Sequence, residues 1–156
     1  MATTITNATL TVTLKESITL NGSQQGATNT LTIASIDEVS KRIITIPTSE
    51  RTIINMGTNP GAGMFIESEV RYIRITNKDD ANHVGLIFQN ENNDEFAIKL
   101  DKGQSFIYNG DISGGVVDTM DAIDGSGLTV SLGDLVNVTA DADTASCDME
   151  IFVAST

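Results

Sequence analysis

The sequence predicts an all-β protein, an antiparallel β-sandwich or jelly-roll-like domain of about ten short strands. Short runs of β-branched and aromatic residues alternate with polar connectors rich in Asn, Asp and Gly, as strands alternate with turns. The 156 residues include 20 Thr, 13 Gly and only 2 Pro, a composition that favours strands and tight turns. The sequence contains no visible strand–helix alternation, heptad pattern or solenoid repeat.

The centre of the chain, residues 70–108, carries the strongest strand signal. Its polar connectors at 77–82 and 90–94 consist of residues that bond their own backbone and favour turns. We therefore expect a meander of hairpins. Its four predicted strands are 70–77, 84–88, 95–100 and 105–108.

Before this centre, in residues 10–33, the sequence predicts strands separated by a long polar loop. Residues 10–14 alternate strictly between apolar residues and Thr, which gives the strand one apolar face and one Thr face. The same pattern continues at 18–20 and 31–33, and the polar stretch 21–29 is interpreted as a surface loop.

The stretch that follows allows two local structures. Residues 35–42 are compatible with one helical turn, whereas 42–46, before Pro47, are extended. We expect 52–55 to pair with 42–46 across the turn at 47–51.

Closing strands are predicted at 128–132, 135–138 and 147–153, after a connector at 118–127 that could hold a helical turn. One face of the last strand is apolar and includes the only cysteine, which predicts a small core residue rather than a reactive thiol. The residues of that face are Cys147, Met149, Ile151 and Val153.

The length predicts one core. A chain of 156 residues can bury enough surface without disulfides, and the lone Cys147 offers none within the chain. We expect a flexible arm at 1–9 and a single β-sandwich domain at 10–156. The amino terminus lacks the basic and apolar regions of a signal peptide, and no apolar run reaches spanning length, so synthesis in the cytosol without membrane insertion is expected.

Charge is unevenly distributed. The net charge is -12, and residues 103–156 hold nine acids and no Lys or Arg. An acidic surface repels phosphate backbones and anionic lipids, so neither nucleic acid nor a membrane is expected as a partner. Two interpretations remain open: a face that binds a basic protein surface, and a solvated face that maintains solubility.

The residues offer little for catalysis. His83 is the only histidine, and its position in a predicted turn suggests a solvated loop residue. Ser105 lacks the glycine elbow of a hydrolase nucleophile, and one Cys with one His cannot supply four zinc ligands. The 21 acids could include a glycosidase pair, but Trp is absent and aromatic sugar platforms are therefore scarce. We expect no enzyme activity and no cofactor.

Calcium is the metal for which weak candidates exist. Asp118, Asp121 and Asp124 precede a Gly-Ser-Gly stretch, and Asp141 and Asp143 form a second acidic pair. Neither has EF-hand spacing, and solvated loop carboxylates explain them equally well.

Two motifs in the centre resemble a pattern in virion proteins of marine tailed phages. These are Tyr-Ile-Arg-Ile-Thr-Asn at 72–77 and Leu-x-x-Gly-x-Ser-Phe at 100–106. The stretches 37–48 and 144–151 are similar to the same group, so the resemblance covers most of the chain.

The resemblance implies a non-enzymatic structural protein on the outer surface of a tailed-phage particle, made in the host cytoplasm. It implies a capsid decoration, or cement, protein that binds the major capsid protein in many copies. It transfers no catalytic or binding residues, because the matching positions are structural. An alternative within the virion is a tail fibre, spike or baseplate module that contacts the host. A cellular adhesion or carbohydrate-binding module is a third class.

Contacts in such a protein are expected from arms and loops on the β scaffold, here 1–9, 21–30, 56–66 and 109–127. Exposed strand edges could pair between copies, which predicts a trimer or another closed homo-oligomer. The candidate interface residues are Thr3, Thr4, Ile5, Thr6, Gln24, Gln25, Asn59, Met64, Ile112 and Met120.

Overall fold

Alternating apolar residues build two facing sheets in the computed structural model, which describes residues 5–59, 61–109 and 134–156. These residues form thirteen strands, with a short 3-10 helix at Glu67–Glu69. The strands are β1 (Ala8–Lys15), β2 (Thr19–Leu20), β3 (Ser23–Gln24), β4 (Thr28–Ile36), β5 (Glu38–Ile46), β6 (Arg51–Gly57), β7 (Phe65–Ile66), β8 (Val70–Asn77), β9 (Val84–Asn90), β10 (Glu95–Leu100), β11 (Ser105–Asn109), β12 (Leu135–Ala142) and β13 (Cys147–Ser155).

The two sheets confirm the predicted all-β sandwich class. One has five strands in the order β10-β9-β12-β6-β7, and the other has four in the order β11-β8-β13-β5. Every pairing in them is antiparallel except that of β6 with the short β7.

The core lies between these sheets and follows from strict alternation along their central strands. In β9, Val84, Leu86 and Phe88 are fully buried and the residues between them are only partly buried. Phe88 stacks on Phe96 of its own sheet at 4.7 Å between ring centroids and meets Phe106 of the opposite sheet at 4.9 Å. These rings therefore join the two sheets.

The last strand, β13, buries the face that was predicted to be apolar. The alternate residues of β13 point into the core and are at most 1% exposed, which confirms that Cys147 is a core residue. The other three are Met149, Ile151 and Val153.

A third layer lies on the outer face of the four-stranded sheet. Strands β1 and β4 pair antiparallel, and β2 and β3 continue the pairing to a tip at Asn21–Gly22, so residues 8–36 form one long hairpin, here called the ribbon. Its base packs on the sheet in a small apolar cluster. The members of that cluster are Leu10, Val12, Ile33, Ile36, Tyr72, Phe152 and Ala154.

The ribbon corrects two predictions. The predicted loop at 21–29 contains β3 and the start of β4, because Asn21 and Gly22 both have positive φ (50° and 79°) and close a tight two-residue turn. Strand β1 begins at Ala8, inside the stretch predicted as an arm.

The predicted meander is also wrong in its pairing, although its four strands form. Only β9 and β10 pair as a hairpin, whereas β8 and β11 pair with each other in the opposite sheet. Alternation determines which face of a strand is buried, but both sheets of a sandwich offer the same kind of buried face. A polar connector can therefore cross between the sheets as readily as it can close a hairpin.

Residues 35–55 also differ from the prediction, both in local structure and in strand pairing. Residues 35–42 are extended rather than helical, because β5 pairs along its whole length with β13 and Asp37 N–H donates to the Ser155 carbonyl at 3.1 Å. Strands β5 and β6 lie in opposite sheets instead of pairing across 47–51. The Arg42 guanidinium crosses the gap and donates to the Ile53 carbonyl.

The predicted strand at 128–132 and the predicted turn at 118–127 lie outside the described residues.

Candidate functional site

The candidate catalytic side chains have partners that do not build a catalytic pair. Ser105 Oγ lies 2.7 Å from Thr76 Oγ1 on the outer face of the four-stranded sheet. His83 Nδ1 lies 3.4 Å from Asp143 Oδ2, so its recorded partner is a carboxylate and not a hydroxyl or thiol. Within the described ranges, His83 and Ser105 therefore contact different partners.

Cys147 is held as a thiol. Burial raises its pKa, and the carboxylates of Asp79, Asp143 and Asp148 raise it further. Its Sγ lies 3.5 Å from the Ala145 carbonyl and 3.8 Å from that of His83. A buried thiol with a raised pKa is a poor nucleophile.

The calcium candidates divide between two regions. Asp118, Asp121 and Asp124 lie outside the described residues. Asp143 is engaged by His83 and by the Thr144 hydroxyl, which donates at 2.9 Å. Across 5–59, 61–109 and 134–156, no group of three or more His, Cys, Asp or Glu residues could hold a metal ion.

The part of the chain that is described has no helix long and apolar enough to cross a membrane.

One buried acid, Glu67, was not expected from the sequence. Glu67, in the 3-10 helix, is buried, and its pKa is raised first by that burial and then by the carboxylates of Asp134 and Glu91. The three acids are far apart in sequence, and two of them are joined by a backbone hydrogen bond in which Glu91 N–H donates to the Asp134 carbonyl at 2.9 Å. The arrangement lowers stability when Glu67 ionises and provides no metal site.

The two motifs of the phage-like pattern bond to each other in three dimensions. Asn77 is buried at the end of β8, and its Nδ2 donates to the Leu100 carbonyl at 3.1 Å and to the Asn82 carbonyl at 2.9 Å. Its backbone N–H donates to the Gln104 carbonyl at 3.0 Å, and Gly103 N–H donates back to the Asn77 carbonyl at 3.1 Å. The motifs therefore join the end of β8 to the turn between β10 and β11, which is a structural role.

Asp79 completes this junction. Its Oδ1 accepts the backbone N–H of Asn82 at 2.6 Å and that of Ala81 at 2.8 Å. These bonds, that from Asn82 first, lower the pKa of the Asp79 carboxyl. The carboxylate thus orders a turn and is not a poised acid or base.

The outer face of the four-stranded sheet carries a polar network beside the ribbon. The Arg74 guanidinium donates to Thr76 and to Glu150, and Lys41 Nζ lies 3.4 Å from the other oxygen of Glu150. The hydrogen bond from Arg74 is the main cause of the lowered pKa of Glu150. These groups satisfy one another and fix the register of β8 and β13.

The distal half of the ribbon is the most unusual surface of the described chain. Alternation places Leu10, Val12 and Leu14 on one face, but only the first two pack on the sheet. Beyond them the apolar side chains are exposed: Leu14 by 52%, Ile18 by 56% and Leu20 by 59%. Single exposed apolar residues are ordinary, but a run of them on one face marks an interaction surface.

This apolar face continues onto the edge of the sandwich. A groove of about 360 Å³ lies between the ribbon and β11, and Ile107 of β11 is 38% exposed there. The ribbon therefore passes from its base on β8 and β13 towards β11. The groove is lined by Val12, Leu14, Asn29, Thr30, Leu31, Ile107 and Asn109.

The hairpin itself is tightly closed along its distal half. Glu16 N–H donates to the Ala27 carbonyl at 2.8 Å and Gln25 N–H donates to the Ile18 carbonyl at 2.9 Å, so pairing keeps one register from Leu10 to the tip. At Gly26 the strands approach so closely that a Cβ would lie 2.1 Å from the Glu16 carbonyl oxygen. The exposed apolar face is therefore displayed by an ordered element.

Charge separates the ribbon from the rest of the protein. Residues 1–36 contain one Lys and one Glu, so the net charge of -12 resides in residues 37–156. Because the ribbon is neutral, its apolar face can approach a negatively charged protein without strong repulsion.

A second exposed apolar patch lies on the opposite edge of the same sheet. Val39 and Ile43 of β5 are 55% and 61% exposed. Ile43 lies opposite Glu150 of β13, whose carboxylate is 3.4 Å from Lys41 Nζ, so charged groups lie beside this patch.

The candidate interface residues fall into three groups. Ile5, Thr6, Gln24, Gln25 and Asn59 are exposed, Met64 is partly buried, and Thr3, Thr4, Ile112 and Met120 lie outside the described residues. The structure thus places Gln24 and Gln25 at the ribbon tip. The apolar residues beside them were missed, although their period-two alternation was visible, because such alternation ordinarily marks a core face.

Comparison with known proteins gives no family. No protein-family model matches the chain, and no curated protein matches it.

Proposed function

We propose that the protein is a non-enzymatic structural component of a tailed-phage virion, a capsid decoration protein that binds the major capsid protein on the outer surface of the head in many copies. The observation that carries the proposal is the ribbon, an ordered, neutral element that displays an apolar face. The resemblance of the two central motifs to marine phage virion proteins supplies the biological setting.

The side-chain arrangement supports a binding role. Ser105, His83 and Cys147 each have structural partners in the described residues, and the motif residue Asn77 joins loops instead of lining a cleft. A rigid sandwich that presents one projecting element suits attachment to a repeated lattice. Binding to the assembled shell but not to its dissociated subunits would stabilise the shell by mass action.

The test is to mix the purified protein with undecorated phage heads, sediment the particles and count the bound copies per head. Decoration predicts saturation at hundreds of copies, on the order of the subunit number of a head, and heads that withstand a higher temperature. A handful of copies per particle, or binding only to tails or host cells, would instead support the fibre, spike or baseplate alternative.

A matched pair of variants makes the test specific. Leu14→Ser with Leu20→Ser changes the apolar face of the ribbon, whereas Thr13→Ser with Thr19→Ser changes the opposite face and keeps its hydroxyls. If the apolar face is used on the head, the first pair loses bound copies and the second does not.

A further inference from the structure

We propose that a cleft at the base of the ribbon binds an acidic sugar, a hexuronate residue whose carboxylate pairs with the Arg71 guanidinium. The cleft has a volume of about 490 Å³, larger than the groove of about 360 Å³ beside β11. The proposal goes beyond the function proposed above and does not depend on it, because the apolar face assigned to the head lies on the distal half of the ribbon. The cleft is lined by Thr32, Ile33, Ala34, Ser35, Arg71 and Thr156.

The first support is a cation that the protein itself does not neutralise. Arg71 Nη1 donates to the Ser68 carbonyl at 2.7 Å, a bond that uses one of the five N–H donors of the guanidinium. Within the described ranges, none of the ion pairs includes Arg71. In a chain with a net charge of -12, a guanidinium in a cleft without a carboxylate partner is suited to an anion from outside the protein.

The second support is strained backbone in the opposite wall of the cleft. Ser35 has a φ of 63°, in the left-handed region that serine rarely occupies. The register of β1 with β4 shifts between Ala8 and Leu10, which places a β-bulge at 34–35. A bulge redirects the side chains that it contains, and strained backbone is concentrated at binding sites. Both residues of the bulge line the cleft.

The lining favours a carboxylate over a phosphate. One guanidinium matches a monovalent carboxylate, with which it can form two parallel hydrogen bonds. A phosphate dianion would meet this single cation within a strongly negative protein, which raises the electrostatic cost of binding. Strand β4, which forms the other wall, carries no charged residue.

The remaining lining favours a hydroxylated ring. Thr32 and Ser35 contribute hydroxyls that can both donate to and accept from the hydroxyls of a sugar. Ile33 and Ala34 supply small apolar surfaces for the C–H groups of the ring. The volume lies within the range of small-molecule sites, about 300–1,000 Å³, and exceeds what one acidic side chain would fill.

Many copies would compensate for weak binding at one cleft, and this consequence alone rests on the proposed function. A ligand the size of one sugar ring is expected to bind with a dissociation constant on the order of 1 mM. A head coated with the protein would present many such clefts to one glycan-covered surface, and linked sites bind far more tightly than single ones.

The experiment titrates the purified chain with sodium glucuronate and follows its backbone amides by NMR. We expect saturable shifts at Ser35, Arg71 and Thr156, and none with glucose, which lacks the carboxylate. Arg71→Gln should weaken binding by about tenfold or more, because it removes a charged hydrogen-bond donor. Arg51→Gln is the matched control, since it removes the same charge from an exposed arginine outside the cleft and should leave binding unchanged.

A hydroxyl variant tests the sugar contact separately from the charge. Thr32→Val keeps the shape of the side chain and should weaken binding by about threefold or more. Thr13→Val changes the same face of the ribbon outside the cleft and should not. Far-UV circular dichroism and the melting temperature should be unchanged in each variant, because these threonines are exposed.

Several outcomes would overturn the proposal. These are the absence of saturable shifts well above the expected dissociation constant, equal binding of glucose, and equal losses in Arg71→Gln and Arg51→Gln. Equal affinity for N-acetylglutamate, which carries a carboxylate without a sugar ring, would overturn the sugar assignment. Tighter binding of glucose 6-phosphate would overturn the carboxylate. The titration uses the free chain, so failure to coat phage heads would leave these results unaffected.

Discussion

The core of the sandwich and the ribbon are built from the same period-two alternation, yet they bury it to different extents. In β9 every second side chain is fully covered by the opposite sheet, whereas in the ribbon the cover ends after Val12 and the apolar row continues into solvent. Alternation makes a strand amphipathic, but it does not supply the partner that covers the apolar face. The partner comes from tertiary structure in the core and, we propose, from another chain at the ribbon.

The largest difference between the regions should appear when one side chain is truncated in each. Phe88→Ala removes a fully buried ring that contacts Phe96 and Phe106, and we expect a loss of about 3–5 kcal/mol in the free energy of unfolding. Leu20→Ala in the ribbon should change it by less than about 0.5 kcal/mol. Urea unfolding at low protein concentration measures both. Equal losses would show that the ribbon tip belongs to the core's cooperative unit.

A polar junction of the body should give the next largest effect. Asn77→Ala leaves the Leu100 and Asn82 carbonyls and the Asp79 N–H without the Asn77 side chain as a partner, and we expect a loss of about 1–3 kcal/mol. The exposed turn residue Asn92 provides the control, since Asn92→Ala should be close to neutral. Chemical denaturation of both variants measures their free energies of unfolding. An Asn77→Ala variant as stable as the wild type would show that water replaces these hydrogen bonds.

A change confined to the ribbon should leave the body almost untouched. Gly26→Ala forces a Cβ against the Glu16 carbonyl oxygen, so the distal strands must separate. We expect faster hydrogen exchange at the Glu16 and Gln25 amides, by about tenfold or more, with little change in global stability. Thr11→Ser on the same ribbon is the control. Unchanged exchange at both amides would show that the hairpin accommodates the methyl group.

The smallest expected effect concerns pH. The folded pKa of Glu67 is raised above its unfolded value, so the stability it contributes is present below about pH 4.5 and is lost as pH rises through the folded pKa. Glu67→Gln should therefore stabilise the protein at pH 7 and match the wild type at pH 4. Asp79 has the opposite sign, because its lowered pKa gives stability above about pH 3.8 that is lost on acidification. Thermal melts of Glu67→Gln and the wild type at pH 7 and pH 4 test the first assignment, and a Gln variant less stable at pH 7 contradicts it. The Asp79 assignment is tested by extending the wild-type melts to about pH 2, because its contribution is lost only below about pH 3.8.

The sequence predicted the positions of the strands better than the pairing between them. The core face of β13, including Cys147, follows directly from alternation, and the four central strands lie close to where their β-branched residues place them. Their pairing could not be predicted, because a connector such as 77–82 has the same Asn and Asp chemistry whether it closes a hairpin or crosses between sheets. The bonds from Asn77 to Leu100 and Gln104 are long-range contacts with no local signature.

Two of the predicted interface residues, the polar Gln24 and Gln25, lie at the ribbon tip, and their role in an interface stays a prediction. The neighbouring apolar residues Ile18 and Leu20 were interpreted as strand interior. Whether an apolar row is covered depends on how far the ribbon extends past the sheet. The register of β1 with β4 and the contacts beside Ile107 are tertiary features, which the alternation alone does not show.

The order of strands also governs when this protein can fold. Strand β12 lies between β9 and β6, and β13 lies between β8 and β5, so the central strands of both sheets come from residues 135–155. During synthesis, β6 and β9 lack their central partner until β12 has left the ribosome, and β5 and β8 lack theirs until β13 has left it. With pairings that link Glu38 to Ser155, folding should be slow for the size of the domain and should begin only after synthesis of β13.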